Sequence, residues 1–268
     1  MSAVVVFIIF AICLVIAIPI SISLGIVAVL PGAFDASFTA SAGYVIRSMV
    51  GGIDSFPLLA VPMFVLAGIL MAHGKISEKL FDVFVYFLGN KRAGIPCAVI
   101  ITCLFSGSAP ATVAAVGSMT IPLLIELGYE KDFSTAIVAV AGGLGVIIPP
   151  SIPFIMYAMA TGESVSDLFL AGIVPGMMIS ALLIFYAYYY CRRHGEDREK
   201  IQAKMDQLKA KGFFNILKES IWALLSPVIV LGCIYSGVAS PTEAAVISVF
   251  YSLFVSLFIY KSIKVKQI

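Results

Sequence analysis

Ser106-Gly107-Ser108-Ala109-Pro110-Ala111-Thr112 interrupts the middle of an uncharged run, residues 93–125, bounded by Lys91 and Arg92 before it and by Glu126 and Lys131 after it. Such a run is either two full membrane spans or one hairpin that enters and leaves by the same face. Each arm is only about 13 to 17 residues, short of the roughly 20 that a helix needs to cross the hydrocarbon core, which favours the re-entrant hairpin. The positive charges agree. With a hairpin, Arg47 is alone among the 17 Lys and Arg residues in lying outside, and the N-terminus is cytoplasmic. Two full spans would move Lys131 and the charged stretch at 192–218 outside, against the positive-inside rule.

A second break follows in Gly142-Gly143-Leu144-Gly145-Val146-Ile147-Ile148-Pro149-Pro150-Ser151. The glycines permit unusual dihedrals and the prolines cannot donate backbone hydrogen bonds, so a helix starting at Lys131 unwinds over 142–150 and restarts near Ser151. Lipid cannot partner a free N–H or C=O, and irregular backbone at membrane depth survives only where protein, water, an ion or a substrate supplies the partner. Two such breaks side by side point to a transporter. Gly and Pro are common in membrane helices and each break alone reads equally well as architecture; together they favour a site.

The rest of the composition fits a chain whose solvent is mostly lipid: 61% hydrophobic residues, 12% charged and a mean hydropathy of +1.07, an all-α polytopic membrane protein. Spanning segments are expected at 3–30, kinked at Pro19, and at 56–73, 130–163, 167–190, 216–239 and 241–260. Residues 75–90 set Ile76, Leu80, Phe81, Phe84, Val85 and Leu88 against Lys75, Glu78, Lys79 and Asp82, as an interfacial amphipathic helix does. Residues 191–215 read as a water-exposed charged loop. Scaffold helices are thus expected over 1–92, a transport unit of hairpin plus broken helix over 93–163, and further transmembrane helices over 164–268. Trp222 and the tyrosines at 186 and 188–190 fall near the inner interface. The cysteines Cys13, Cys97, Cys103, Cys191 and Cys233 contain no CxxC pair, so neither a disulfide framework nor a zinc site is indicated. Ser240-Pro241-Thr242-Glu243 is a capping box, repeated in outline by Ser164 and Asp167, so Glu243 caps a helix and carries no proton. His73 and His194 lie near membrane boundaries, and no acid lies deep enough for a proton relay.

At the hairpin tip, Ser108 or Ala109 caps the second arm with Pro110 in its first turn, and the small Ala111, Ala114, Ala115 and Gly117 allow close helix approach. The carbonyls freed at the second break, with the Ser106 and Ser108 hydroxyls, are hard neutral donors suited to Na⁺, while a half-helix N-terminus offers partial positive charge to a carboxylate. No enzyme activity is expected, because no His/Asp/Glu/Cys constellation lies at membrane depth, and no cofactor or nucleic-acid partner is expected beside the ion.

These residues resemble the large membrane subunit of tripartite ATP-independent periplasmic (TRAP) transporters. The likeness rests on Phe105-Ser106-Gly107-Ser108 through Ala111-Thr112-Val113-Ala114-Ala115-Val116-Gly117-Ser118, on Gly128-Tyr129, on Gly142 to Ile152, on Ala171-Gly172-Ile173-Val174-Pro175-Gly176 and on Pro241-Thr242-Glu243-Ala244-Ala245, in order from about Gly51 to Tyr260. The resemblance implies a Na⁺-driven importer of organic acids in the bacterial inner membrane, such as C4-dicarboxylates or sialic acid. An extracytoplasmic substrate-binding protein would deliver the carboxylate to a complex of large and small membrane subunits, and an elevator motion would carry it across. It places Ser106, Ser108, Gly143, Gly145, Ile148 and Pro150 at one Na⁺ site, and Thr112 and Ser151 facing the substrate. Members of the family continue into an inverted second half with its own pair of breaks. No second pair occurs before Ile268, so the chain is expected to be a fragment, to be interrupted, or to be completed by a partner. A binding-protein-independent Na⁺/dicarboxylate symporter and a non-transporting scaffold subunit are the other readings of the same breaks.

Overall fold

The structure is a computed structural model that describes residues 3–34, 42–105, 109–210 and 212–263. The described residues form helices and turns with no strand, in two compact units, Met1–Ser55 and Phe56–Ile268.

The first unit holds α1 (Ala3–Val15), α2 (Ile20–Phe34) and α3 (Ala42–Ile53). The single kinked helix expected over 3–30 is two helices. Ala17 turns left-handed at φ 63°, the Ile18 amide donates back to the Cys13 carbonyl at 3.0 Å and the Ala17 amide to Leu14 at 3.0 Å. That six-to-one closure ends a helix outright. Pro19, which has no amide to leave unpartnered, then leads into α2, with the Ser23 hydroxyl donating to the Pro19 carbonyl at 3.2 Å.

In the second unit a 3₁₀ turn, Phe56–Leu59, opens α4 (Ala60–His73). Then come α5 (Ile76–Leu88), α6 (Gly94–Cys103), α7 (Ala109–Glu126), α8 (Lys131–Gly142), α9 (Ile152–Thr161), α10 (Val165–His194), α11 (Arg198–Ala210), α12 (Phe213–Tyr235) and α13 (Pro241–Phe254). A π-helical turn, Val255–Ile259, extends α13. Among the described residues, four stretches are long and apolar enough to cross a membrane: Phe56–His73, Val165–His194, Phe214–Tyr235 and Pro241–Ile259. Their outward faces carry bare apolar side chains, among them Leu182, Phe185, Val228 and Phe250, as lipid-facing helices do.

The unit has two main cores. One gathers Val99, Ile100, Val116, Leu124, Val138, Ala187 and Met205 from α6, α7, α8, α10 and α11; the other gathers Ala60, Phe64, Ile155, Phe169, Val230 and Ala244 from α4, α9, α10, α12 and α13. Small residues bring α4 and α13 together: Ala60, Ala67 and Gly74 lie along one, Ala244, Ala245, Ser248, Ser252 and Ser256 along the other. A Cβ at Gly74 would collide with the Ser256 hydroxyl, the close approach that small residues permit in lipid.

Two further features differ from the sequence reading. Residues 198–210 are a helix, because Ile201, Met205 and Leu208 recur at helical spacing and are buried, Met205 where a Cβ at Gly89 would touch its sulfur. And α5 packs against both α6 and α12 with Ile76, Leu80, Phe81, Val83 and Val85 buried, so it is a core helix of this unit. The capping box stands as read: the Ser240 hydroxyl accepts the Glu243 amide at 3.3 Å while Glu243 accepts the Ser240 amide at 2.7 Å.

Candidate functional site

The break after α8 is built as its residues require. α8 tightens into a 3₁₀ turn, Gly143–Val146, and Ile147–Ser151 is not helical. The Leu144 carbonyl accepts the amides of both Ile147 and Ile148, each at 3.0 Å. Ser151, fully buried, restarts the helix: its hydroxyl donates to the Val146 carbonyl at 2.5 Å and accepts the Phe154 amide at 3.4 Å. The one side chain thereby ties the last turn before the break to the first turn after it.

Three neighbours hold the break. A Cβ at Gly142 would collide with Val113 on α7 and lie 3.6 Å from the Ala109 carbonyl. A Cβ at Gly172 would strike the Ile147 carbonyl, and one at Gly176 the Ile148 side chain, so α10 presents a notch of two glycines one turn apart to 147–148. On the remaining side Pro150 and Phe105 line one small cavity with α4 (Phe64, Ala67, Gly68, Met71), α12 (Ser226, Pro227) and α13 (Ser248). Its volume of about 20 Å³ suits one water-sized occupant.

The two interruptions in the sequence are therefore adjacent in space. Phe105 and Ala109 flank the first, and both meet residues of the second. Ser106 and Ser108 lie outside the described residues. Of the other expected ion ligands, Gly145, Ile148 and Pro150 are at the break; Gly143 is there too, with nothing within 4 Å of where its Cβ would be. The Ile148 side chain packs into the α10 notch and its amide is bonded to Leu144, so its carbonyl is the group it could offer a ligand. Thr112, in the first turns of α7, is buried and engaged.

The residues that sequence reasoning missed come from α4, α12 and α13. One signal was available: Pro227 inside α12 removes an amide from an apolar helix and marks a kink, next to Ser226, whose hydroxyl lies 3.6 Å from the Met71 sulfur. The lining is neutral: its polar side chains are hydroxyls, and among the described residues no group of three His, Cys, Asp or Glu gathers that could hold a metal. Neutral oxygens of this kind fit a weakly held monovalent cation.

Residues 7–268 match the family model described as "Tripartite ATP-independent periplasmic transporter, DctM component". The chain is 42% identical over 258 residues to the isethionate TRAP transporter permease protein DctMQ of Oleidesulfovibrio alaskensis, covering 95% of this chain and 40% of that one. It is 34% identical to the C4-dicarboxylate TRAP transporter large permease protein DctM of Rhodobacter capsulatus, over all of this chain and 63% of that one. With the sialic acid TRAP transporter permease protein SiaT of Haemophilus influenzae it shares 35% identity over 83% of this chain and 36% of the other. The chain thus spans 36% to 63% of the length of these relatives, which are permeases and not enzymes. On the match of nearly its whole length, the chain belongs to the DctM component family of tripartite ATP-independent periplasmic transporters.

Proposed function

We propose that this chain forms part of the membrane subunit of a Na⁺-coupled, binding-protein-dependent importer of organic acids. The observation that carries the proposal is that Phe105 and Ala109, on either side of the first interruption in the sequence, meet the break at 142–151 beside a small cavity lined by neutral groups. Na⁺ would sit among the backbone carbonyls of Gly143, Gly145, Ile148 and Pro150 and the hydroxyls of Ser106 and Ser108, with Thr112 and Ser151 toward the substrate. Ser151 would contribute by turning its hydroxyl proton from the Val146 carbonyl, to which it donates in this structure, to an oxygen of the acid.

The family supplies the partners: a small membrane subunit and an extracytoplasmic binding protein. The relatives named above bear the names of isethionate, C4-dicarboxylate and sialic acid transporters, all anionic at neutral pH, so an organic anion is the substrate class. The shortness of α6 and of the apolar part of α7 supports a hairpin that re-enters from the cytoplasmic face of the inner membrane, and two breaks in one body support an elevator motion. Each Na⁺ entering gains roughly 2.3 kcal/mol per 100 mV of inside-negative potential, enough for a few ions to concentrate an acid strongly.

The test uses Cys103, which lies just before the first break. In membranes, its labelling in a variant without the other cysteines is expected to change with Na⁺ and not with K⁺, and to lose that response in Ser108→Ala. Labelling indifferent to the cation would remove the ion site.

A further inference from the structure

Residues 195–197, between α10 and α11, and Arg198, the first residue of α11, belong to no part of the candidate site, yet their contacts converge on its foundations. Glu196 is a carboxylate with a side chain only 3% exposed. Its Oε1 accepts the Ala93 amide at 2.9 Å and the Tyr129 hydroxyl at 2.7 Å; its Oε2 accepts Arg198 Nη2 at 2.9 Å. Arg198 reaches on to donate Nη1 to the Asn90 carbonyl at 3.2 Å. The neighbouring Asp197 backs onto Gly128, where φ is +92° and a Cβ would come within 2.9 Å of the Asp197 Cβ.

The partners of this carboxylate are the two roots of the α6–α7 pair. Ala93 is the residue from which α6 starts, in the left-handed region at φ 58°, a conformation that a side-chain-bearing residue keeps only where its surroundings impose it. Tyr129 stands at the corner where α7 gives way to α8. A charge taken out of water must be matched by strong donors, and here the donors are one amide from the entry, one phenol from the exit and one guanidinium. A second bond crosses the same corner with the roles exchanged: the Tyr190 phenol of α10 donates to Glu130 at 2.5 Å, while Phe133 stacks on Tyr190 at 4.0 Å.

We propose that Glu196 is the positioning residue of the candidate site, a single carboxylate that pins the entry of α6 and the α7–α8 corner together so that both breaks are carried as one body. The inference rests on reading the breaks as the site, but its geometry is independent of which ion or acid is bound. Without the carboxylate, the Ala93 amide and the Tyr129 hydroxyl are buried donors with nothing to donate to, and the turn at 90–93 is released. The first core then opens at α6, while the second core keeps all its contacts.

The experiment measures the reactivity of Cys103, in the first core, and Cys233, packed against the second, with a membrane-permeant maleimide. The full chain is labelled in membranes and each thiol is quantified by peptide mass, in Na⁺ and in K⁺. Glu196→Ala is expected to raise Cys103 labelling about tenfold and to leave Cys233 unchanged, Tyr129→Phe to raise Cys103 about threefold, and Glu196→Gln, which keeps the accepting Oε1, to stay within about twofold of wild type. Tyr129→Phe removes one oxygen and serves should Glu196→Ala fail to accumulate. Unchanged Cys103 in Tyr129→Phe or Glu196→Ala, an equal rise at Cys233, or a Gln variant as reactive as Ala would overturn the proposal. A wild type indifferent to Na⁺ would instead count against the ion site alone, because the comparison between variants is made at fixed cation.

Discussion

Gly142 and Gly143 are chemically identical neighbours with opposite tolerances. At Gly142 any Cβ meets Val113 of α7, so Gly142→Val must push α7 away; at Gly143 the same atom would meet nothing within 4 Å. Overpacking of this kind costs about 1–3 kcal/mol, so Gly142→Val is expected to lower the unfolding midpoint in detergent by several degrees while Gly143→Ala leaves it within error. Ser151 makes a second residue-level case. Ser151→Ala deletes the α9 cap and leaves the Val146 carbonyl without its donor, a loss of about 1–3 kcal/mol that Ser151→Thr largely restores if its methyl group fits. Thermal unfolding of the three proteins, followed by a thiol-reactive dye, checks the order. The sequence told that 142–151 must unwind, from glycine freedom and the missing proline amides. Which glycine faces a neighbour is set by α7, packing across the break, and no local pattern carries that.

Among the elements, α11 shows how charge can hide a core helix. Its lysines and acids read as a solvated loop, yet Ile201, Met205 and Leu208 repeat at three and four residues and are buried. Met205→Asp is expected to detach α11 from Gly89 and make 198–210 a site of rapid proteolysis in detergent, whereas Lys209→Asp, on the exposed face, leaves the digestion pattern unchanged. Capping was legible because it is local: the Ser240 box and the Ser164 cap, which accepts the Asp167 amide at 3.3 Å, are chemistry within four residues. The end of α1 was legible only as a kink, because Pro19 marks a discontinuity without specifying its angle; the left-handed Ala17 turns it into a stop. Likewise the amphipathic pattern of 75–90 identified the helix but not its neighbours, since one apolar face suits a membrane surface and a protein core alike.

For the molecule as a whole, the linkage of the 195–201 segment to pH follows from two groups outside the spans. Asp197 accepts the Lys200 ammonium at 3.1 Å and the Lys200 amide at 3.2 Å, which hold its carboxyl below the usual range. Its folded pKa being the lower, its contribution is present above the unfolded value of about 3.9 and is lost as pH falls through and below it. Tyr129 is pushed up by burial and then by its bond to Glu196. Its contribution is present below the unfolded value of about 10 and is lost as pH rises beyond it. Hydrogen exchange of 195–201, corrected for intrinsic rate, is therefore expected to show constant protection from about pH 5 to 9 and a decline on either side. The all-helical membrane class was legible because hydropathy is summed over many residues. The cavity between Pro150, Phe105 and three distant helices was not, because its α12 and α13 walls lie some eighty to a hundred residues further along the chain.

The clasp at Glu196 also sets an order of events at the ribosome. Ala93 and Glu196 are 103 residues apart, and at bacterial elongation rates on the order of 5–20 s separate their synthesis. During that interval α6 and α7 reach the membrane with the left-handed entry unpinned and the Tyr129 phenol unmatched, so the insertion machinery or neighbouring lipid must shelter the pair. The pair acquires its fixed footing only after α10 and the residues that follow it, Glu196 and Arg198, have been made. Membrane insertion and the fixing of the α6–α7 pair are thus separate stages of this protein's biogenesis, and arresting synthesis before residue 196 would yield the first without the second.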